Sequence, residues 1–168
     1  MIEQELASII KFVLEAAGSP NPYYWAVPAQ FVRPAIFFPT PEIESGGETF
    51  RTYRMEYTWF LQFFGKDTAT AHNMALAVYS AIKDARNLVP IIDTDGEPLE
   101  TGIKRLRLGE PSLKPIDNGA VQLTIRFVSR RPYTVPDTQL MQHWIATIED
   151  KTDGTVYAAT NMVTEEED

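Results

Sequence analysis

FRTYRMEYTWFLQFF, residues 50–64, alternates with a period of two. Tyr53, Met55, Tyr57, Trp59, Leu61 and Phe63 fall on one parity; Arg54, Glu56, Thr58 and Gln62 fall on the other. Successive side chains of a strand point to opposite faces, so the pattern predicts one long, half-buried strand. Its end breaks the rule, because Phe60 and Phe64 make the polar parity apolar as well. One layer of helices covers only one face of a sheet. Some of that aromatic surface therefore needs a second cover, expected from the C-terminal segment or from another subunit.

The segments on either side extend the pattern. Upstream, Leu6, Ile9, Ile10, Val13 and Leu14 recur at helical spacing, and Gly18 and Pro20 supply a stop, which predicts a helix over 2–17. Prolines at 20, 22, 28, 34, 39 and 41 interrupt the next segment. Within it Tyr23–Val27 reads as an edge strand and Ala35–Phe38 as a strand paired with 50–64. The intervening EIESGGE, Glu42 to Glu48, reads as a polar loop. Downstream, Gly65-Lys66-Asp67 is a turn with Asp67 or Thr68 as N-cap. Ala71, Met74, Ala75, Val78, Ala81, Ile82 and Ala85 then stripe a second helix over 69–86. Further strands are expected at Leu88–Ile92, around Gly102–Leu108, and at Ala120–Arg130. Turns are expected at 93–96 and 117–119, and a loop at 109–114.

This order predicts an α+β fold: an antiparallel sheet of four to five strands, two helices on one face, and a C-terminal hairpin-like extension. Charge marks the boundary. Residues 1–132 hold 14 basic and 15 acidic side chains, whereas 133–168 hold 1 and 8; the balances are −1 and −7 of the total −8. The division expected is a domain over 1–131, an extension over 132–164 read as a hairpin, and a disordered acidic tail over 165–168. Lys151-Thr152-Asp153-Gly154 is the candidate turn and Thr155–Thr160 the returning strand.

Several function classes are excluded or disfavoured. Without cysteine there is no disulfide framework, thiolate nucleophile or thiolate-bound metal. A near-neutral body lacks the basic face of an ordinary nucleic-acid-binding domain. No apolar run approaches the roughly 20 residues of a membrane span. The opening Met-Ile-Glu-Gln-Glu has no basic region before an apolar one, so no secretory signal is expected.

Candidate chemistry is sparse. His72 and His143 have no second ligand at helical spacing, and structural or surface roles are expected for both. Asp93, Asp95 and Glu97 around Gly96 suit a β-turn better than a calcium loop, whose flanks would be helices. Gly46-Gly47 precedes neither a Lys-Ser/Thr pair nor a helix, so it is no phosphate loop. No catalytic, metal or cofactor residue is assigned. Arg105 and Arg107 share one strand parity, and Arg126 and Arg130 share another; together they make the late strands locally basic.

The segments VPAQFVRPAIFF (27–38), LVPIIDTDGEP (88–98) and DNGAVQLTIRF (117–127), in this order around the aromatic strand and the Ala-rich helix, carry a resemblance. Over about residues 1–131 the chain resembles the tail terminator, or tail completion, proteins of long-tailed bacteriophages. The resemblance implies a small α+β subunit without turnover chemistry that assembles as a ring, usually a hexamer. Such a ring caps the head-proximal end of the tail tube, ends its polymerisation and gives the head–tail connector a docking surface. The implied setting is the virion tail, assembled in the host bacterial cytoplasm. The implied partners are other copies of the chain, tail-tube protein and connector protein, with DNA passing through the lumen and no membrane.

On that reading Arg105, Arg107 and Arg126 are candidates for the subunit contact. Glu42, Glu44 and Glu48 are candidates for a lumen or tube-facing loop, where acidic charge would repel phosphates and let DNA slide. Two alternatives stand beside it. One is another head–tail connector or neck protein. The other is a small-molecule binding domain or enzyme with a pocket around 23–38, for which Gln30 and Arg33 are the available polar groups.

Overall fold

A computed structural model describes residues 2–134, 143–149 and 156–162. Helix α1 spans Ile2–Ala16. After it come strands β1, Asn21–Tyr24, β2, Ala35–Phe38, β3, Glu42–Gly47, and β4, Thr52–Phe64. Helix α2 is Thr68–Asp84. The next strands are β5, Leu88–Pro90, β6, Arg105–Arg107, β7, Ser112–Asp117, and β8, Ala120–Pro132. Strands β9, His143–Glu149, and β10, Val156–Met162, come last. Residues 1–132 and 133–168 form two compact units.

The first unit is built on the β4–β8 ladder, thirteen antiparallel pairs from Thr52↔Pro132 to Phe64↔Ala120. Strand β2 pairs with the end of β4, β3 with its beginning, and β7 with the start of β8. The odd residues of β4 and β8 meet in register: Tyr57 with Phe127, Trp59 with Ile125, Leu61 with Leu123, Phe63 with Val121. All eight are buried. The rings of Tyr57 and Phe127 stack with centroids 4.6 Å apart. Ile9 and Val13 of α1, and Ala71, Ala75, Val78 and Ile82 of α2, complete this core. The alanines let α2 lie close to the sheet, and each large side chain buried there contributes about 1.5–3 kcal/mol. The fold is α+β with two helices against one sheet face.

The helix ends are set by local chemistry. Asp67 caps α2 by accepting a 2.7 Å hydrogen bond from the Thr70 backbone N–H. That bond, above other causes, holds the Asp67 carboxyl below its usual value of 3.8. A group with a lowered native pKa stabilises above its unfolded pKa and loses that effect as pH falls through the native one. The thermal midpoint of wild type should therefore fall faster than that of Asp67→Asn as pH drops from about 6 to about 2.5, with the difference between them changing below about 4. A constant gap across that range would refute the cap's contribution. At the end of α1, Gly18 takes φ +78° and Ser19 N–H donates to Leu14 O at 2.7 Å, closing the last turn.

Five expectations need correction. Glu42–Gly47 is a strand, not a loop: its backbone pairs with 53–58 of β4 although its side chains are polar. The true turn is shorter, Glu48–Arg51, held by Thr49 Oγ1, which accepts from the N–H groups of Arg51 and Thr52. The expected loop at 109–114 gives way to β7, which tolerates Pro115 at a sheet edge beside an irregular register. The main sheet therefore has six strands, and β1 runs parallel to β2 within it. The edge strand also lies earlier than Tyr23–Val27, because Trp25 turns to φ +65° and ends it. Finally, β5 and β6 pair only with each other and form a separate two-stranded sheet. The turn after β5 is as expected: Asp93 Oδ1 accepts from Asp95 N–H and Glu97 N–H at 2.9 Å each.

In the second unit β9 and β10 form an antiparallel pair, from Glu149↔Val156 to His143↔Met162. The turn expected at 151–154 and the tail over 165–168 lie outside the described residues.

Candidate interaction face

The alternation of β4 that buries its odd residues turns its even residues to the other side of the sheet. No helix covers that side among the described residues. The register fixes its rows. Glu44, Glu56 and Val128 lie across neighbouring strands, then Glu42, Thr58 and Arg126, then Phe60, Thr124 and Ser112, then Phe37, Gln62, Gln122 and Lys114. Phe60 and Gln62 are half-buried; Val128, Arg126 and Lys114 are exposed. The face is thus mixed, with apolar side chains between charged ones.

Part of the aromatic surplus is covered from within the chain. The proline-rich segment folds over one end of the open face, placing the Phe31 ring 4.9 Å from that of Phe64. The Arg33 guanidinium carbon sits 5.1 Å from the Phe31 ring centroid and 5.9 Å from that of Phe64, within cation–π range. Arg33 Nη1 also donates to Gly65 O at 3.1 Å. These contacts supply an internal cover, where the sequence pointed only to the C-terminal segment or another subunit.

The other end of the face holds a groove of about 290 Å³. Glu56, Thr58, Arg126 and Val128 line it from the sheet, and Arg107, Leu108 and Gly109 from the strand that arrives beside β8. Leu108 bridges Phe127, and Gly109 N–H donates to Arg126 O at 2.7 Å. The structure therefore brings Arg107 and Arg126 to one groove. Arg105, exposed opposite Pro90, does not line it.

The cations of the first unit differ in their partners. Arg54 pairs with Glu56 at 2.8 Å, Arg130 with Glu48 at 2.9 Å, and Arg131 with Glu5 at 3.4 Å. Among the described residues Arg105, Arg107 and Arg126 have no carboxylate partner. The same accounting separates the three candidate glutamates. Glu48 is matched by Arg130, whereas Glu42 and Glu44 are exposed on β3 with no ion pair among the described residues. Beneath the sheet, Glu5 is buried and accepts from Ser129 Oγ at 2.8 Å, tying α1 to the end of β8. Burial nearby pushes the Tyr57 hydroxyl above its usual range, opposed by the positive Arg131.

Sequence reasoning missed two features. Phe50, at the tip of the β3–β4 hairpin, is fully exposed. The stretch that holds it reads as one continuous strand, and only the Thr49-centred turn reveals it as a tip. The second is an apolar groove of about 410 Å³ between α1 and the proline-rich segment, lined by Leu6, Ile10, Tyr24, Trp25, Phe38 and Pro41 among others. It overlaps the pocket expected around 23–38 at Tyr24, Trp25 and Phe38. Neither Gln30 nor Arg33 lines it, and no charged side chain does.

Comparison with known proteins gives this face a setting. No protein-family model matches the chain. It is 26% identical over 141 residues to the phage-like element PBSX protein XkdJ of Bacillus subtilis strain 168, a match covering 84% of this chain and 94% of that protein. It is 24% identical over 107 residues to the uncharacterized protein YqbJ of the same strain, covering 64% and 73% respectively. The chain is related to a protein of a phage-like element.

His72 is exposed on α2, and His143 opens β9. Among the described residues no three His, Asp or Glu side chains gather as a metal site would require. No described helix is long and apolar enough to cross a membrane.

Proposed function

We propose that this chain is a tail terminator: a subunit of a ring that caps the head-proximal end of a phage tail tube, ends its growth and receives the head connector. The observation that carries the reading is the half-open sheet. One face of β4 and β8 is sealed by α1 and α2, while the other presents Phe60, Val128 and Arg126, with Arg107 of β6 beside it, both arginines without a carboxylate partner among the described residues. Such a face suits a contact between subunits. A contact that joins this face of one copy to a different surface of the next is heterologous, and propagates to a closed ring or a filament. The similarity to a phage-like element protein over nearly all of that protein's length supplies the context. The work of such a protein is positional, and no residue is assigned to catalysis.

The β3–β4 hairpin is the element that meets the tube or lines the lumen. It carries Glu42 and Glu44 on a strand edge and ends in the exposed Phe50. Phe50→Ala should leave the melting temperature of the chain unchanged, since the ring has nothing to unpack from. It should weaken capping of tail-tube polymers severalfold, because an exposed aromatic makes a natural anchor at an interface.

The direct test mixes the purified chain with tail-tube protein from the same phage element. Light scattering tracks mass, and negative-stain imaging tracks tube length. Short tubes with a ring at one end are expected. A strict monomer at high concentration that leaves tube length unchanged would overturn the reading.

A further inference from the structure

The groove at Arg107 and Arg126 has three properties that together describe an occupant. Its two arginines lack anions among the described residues, while four other cations of the first unit have a carboxylate within 3.4 Å. Its walls between them are largely apolar, formed by Leu108, Phe127 and Val128, and the one carboxylate that lines it, Glu56, is already paired with Arg54. It also borders an open strand edge. Strand β7 pairs with β8 only as far as Thr124 and Leu108 bridges Phe127; beyond that, among the described residues, β8 has a ladder partner on its β4 side alone. An extended, acidic segment with apolar residues fits all three, since strand addition uses an open edge and charge selects the partner.

The chain itself contains such a segment. Residues 133–168 form a second compact unit with a balance of −7, and within it the 143–162 stretch holds Glu149, Asp150 and Asp153 against the single Lys151. Their described strands make a single two-stranded ladder, β9 with β10. Two strands alone are marginal in water and need a third strand or a packing partner. The segment carries Trp144, Ile145, Ile148 and Tyr157, which reward such a partner with buried apolar area.

We propose that the β9–β10 segment of one copy docks in the Arg107/Arg126 groove of a neighbouring copy, extending its sheet beyond Phe127. The inference rests on the ring reading, and names what holds one subunit to the next. Each copy then gives one arm and receives one, which is the heterologous pattern that a ring requires. The attraction is partly ionic, so salt weakens it.

The test uses the full chain with the photoreactive residue benzoylphenylalanine in place of exposed Val128. Copies grown with light and heavy nitrogen are mixed, assembled with tail-tube protein and irradiated. Mass spectrometry then identifies the captured peptides. The expected result is capture of peptides from 143–162 joining light chains to heavy ones. Arg107→Glu combined with Arg126→Glu should lower that capture at least tenfold without lowering the melting temperature, and the paired lysine variants should keep most of it.

Capture of 143–162 only within chains of one isotope would show the arm folded onto its own subunit and overturn the proposal. Capture of other peptides, or none, in rings seen by negative stain would overturn it while the ring reading stands. Absence of rings from the unsubstituted chain assembled in parallel would overturn the ring reading first and this inference with it.

Discussion

Gly65→Ala is expected to destabilise the chain by about 3 kcal/mol, near the upper end for overpacking a tight site. In thermal unfolding that corresponds to a midpoint lower by about 10 °C. The cause is steric. A methyl group at Gly65 would stand 2.4 Å from the Ala71 backbone nitrogen and 2.7 Å from the Asp67 carbonyl oxygen. Neither neighbour is a flexible side-chain end, so α2 itself has to move. The site also joins three parts of the fold. Gly65 N–H donates to Gly119 O at 3.0 Å, and Gly65 O accepts from Arg33. Thr68 Oγ1 accepts from Gly119 N–H. Moving α2 therefore strains the turn before β8 and the proline-rich segment together. Gly96→Ala is the comparison: it has a positive φ of +84° but nothing within 4 Å, so its cost should be about 1 kcal/mol. Equal losses for the two variants, measured by chemical denaturation, would refute the steric account.

The second large effect concerns assembly and leaves the fold intact. Val128→Asp places a carboxylate directly across the ladder from Glu56 on the open sheet face. Val128 is 41% exposed, so the loss of stability, from the like charge across the ladder and weaker strand propensity, should stay at about 1 kcal/mol. A like charge desolvated in a subunit contact costs far more, and ring formation should weaken at least tenfold, or about 1.4 kcal/mol per contact. Val128→Thr should assemble normally, since it keeps the shape and adds no charge. Sedimentation velocity with and without tail-tube protein checks both. Rings of unchanged stability in Val128→Asp would remove the open face from the contact.

Much of the first unit was legible because a few stretches combine strong periodicity with length. The alternation of Tyr53–Phe63 and of Val121–Phe127 fixed both central strands and their buried parity. The Ala71, Ala75, Val78, Ile82 stripe marked α2 and its face, and the Asp67 or Thr68 cap placed its start to within a residue. What escaped had weak local signals overridden by pairing. EIESGG has one β-branched residue and two glycines, yet it becomes β3 because β4 offers an open edge. SLKPID holds a proline, yet it becomes β7 because an outer edge asks for no donor there. The parallel pairing of β1 with β2 depends on how the chain crosses between them, which no periodicity encodes.

The candidate site was half legible for the same kind of reason. Arg107 and Arg126 stood out as cations on strands, but their convergence depends on the Leu108–Phe127 bridge. Glu48 looked equivalent to Glu42 and Glu44 until the fold set Arg130 beside it. Phe50 was hidden inside a continuous pattern.

The β4–β8 ladder has a consequence in time. Thr52 pairs with Pro132 and Phe64 with Ala120, so a chain leaving the ribosome exposes its most aromatic strand long before the partner exists. Long-range pairing of this kind is slow to form. The rows that make the open face, Glu56 beside Val128 and Thr58 beside Arg126, are each split between the two strands. No fragment that stops short of β8 possesses them. On the proposed ring reading, a nascent or broken subunit would lack the face that joins it to its neighbours, and incorporation would itself proofread for complete folding.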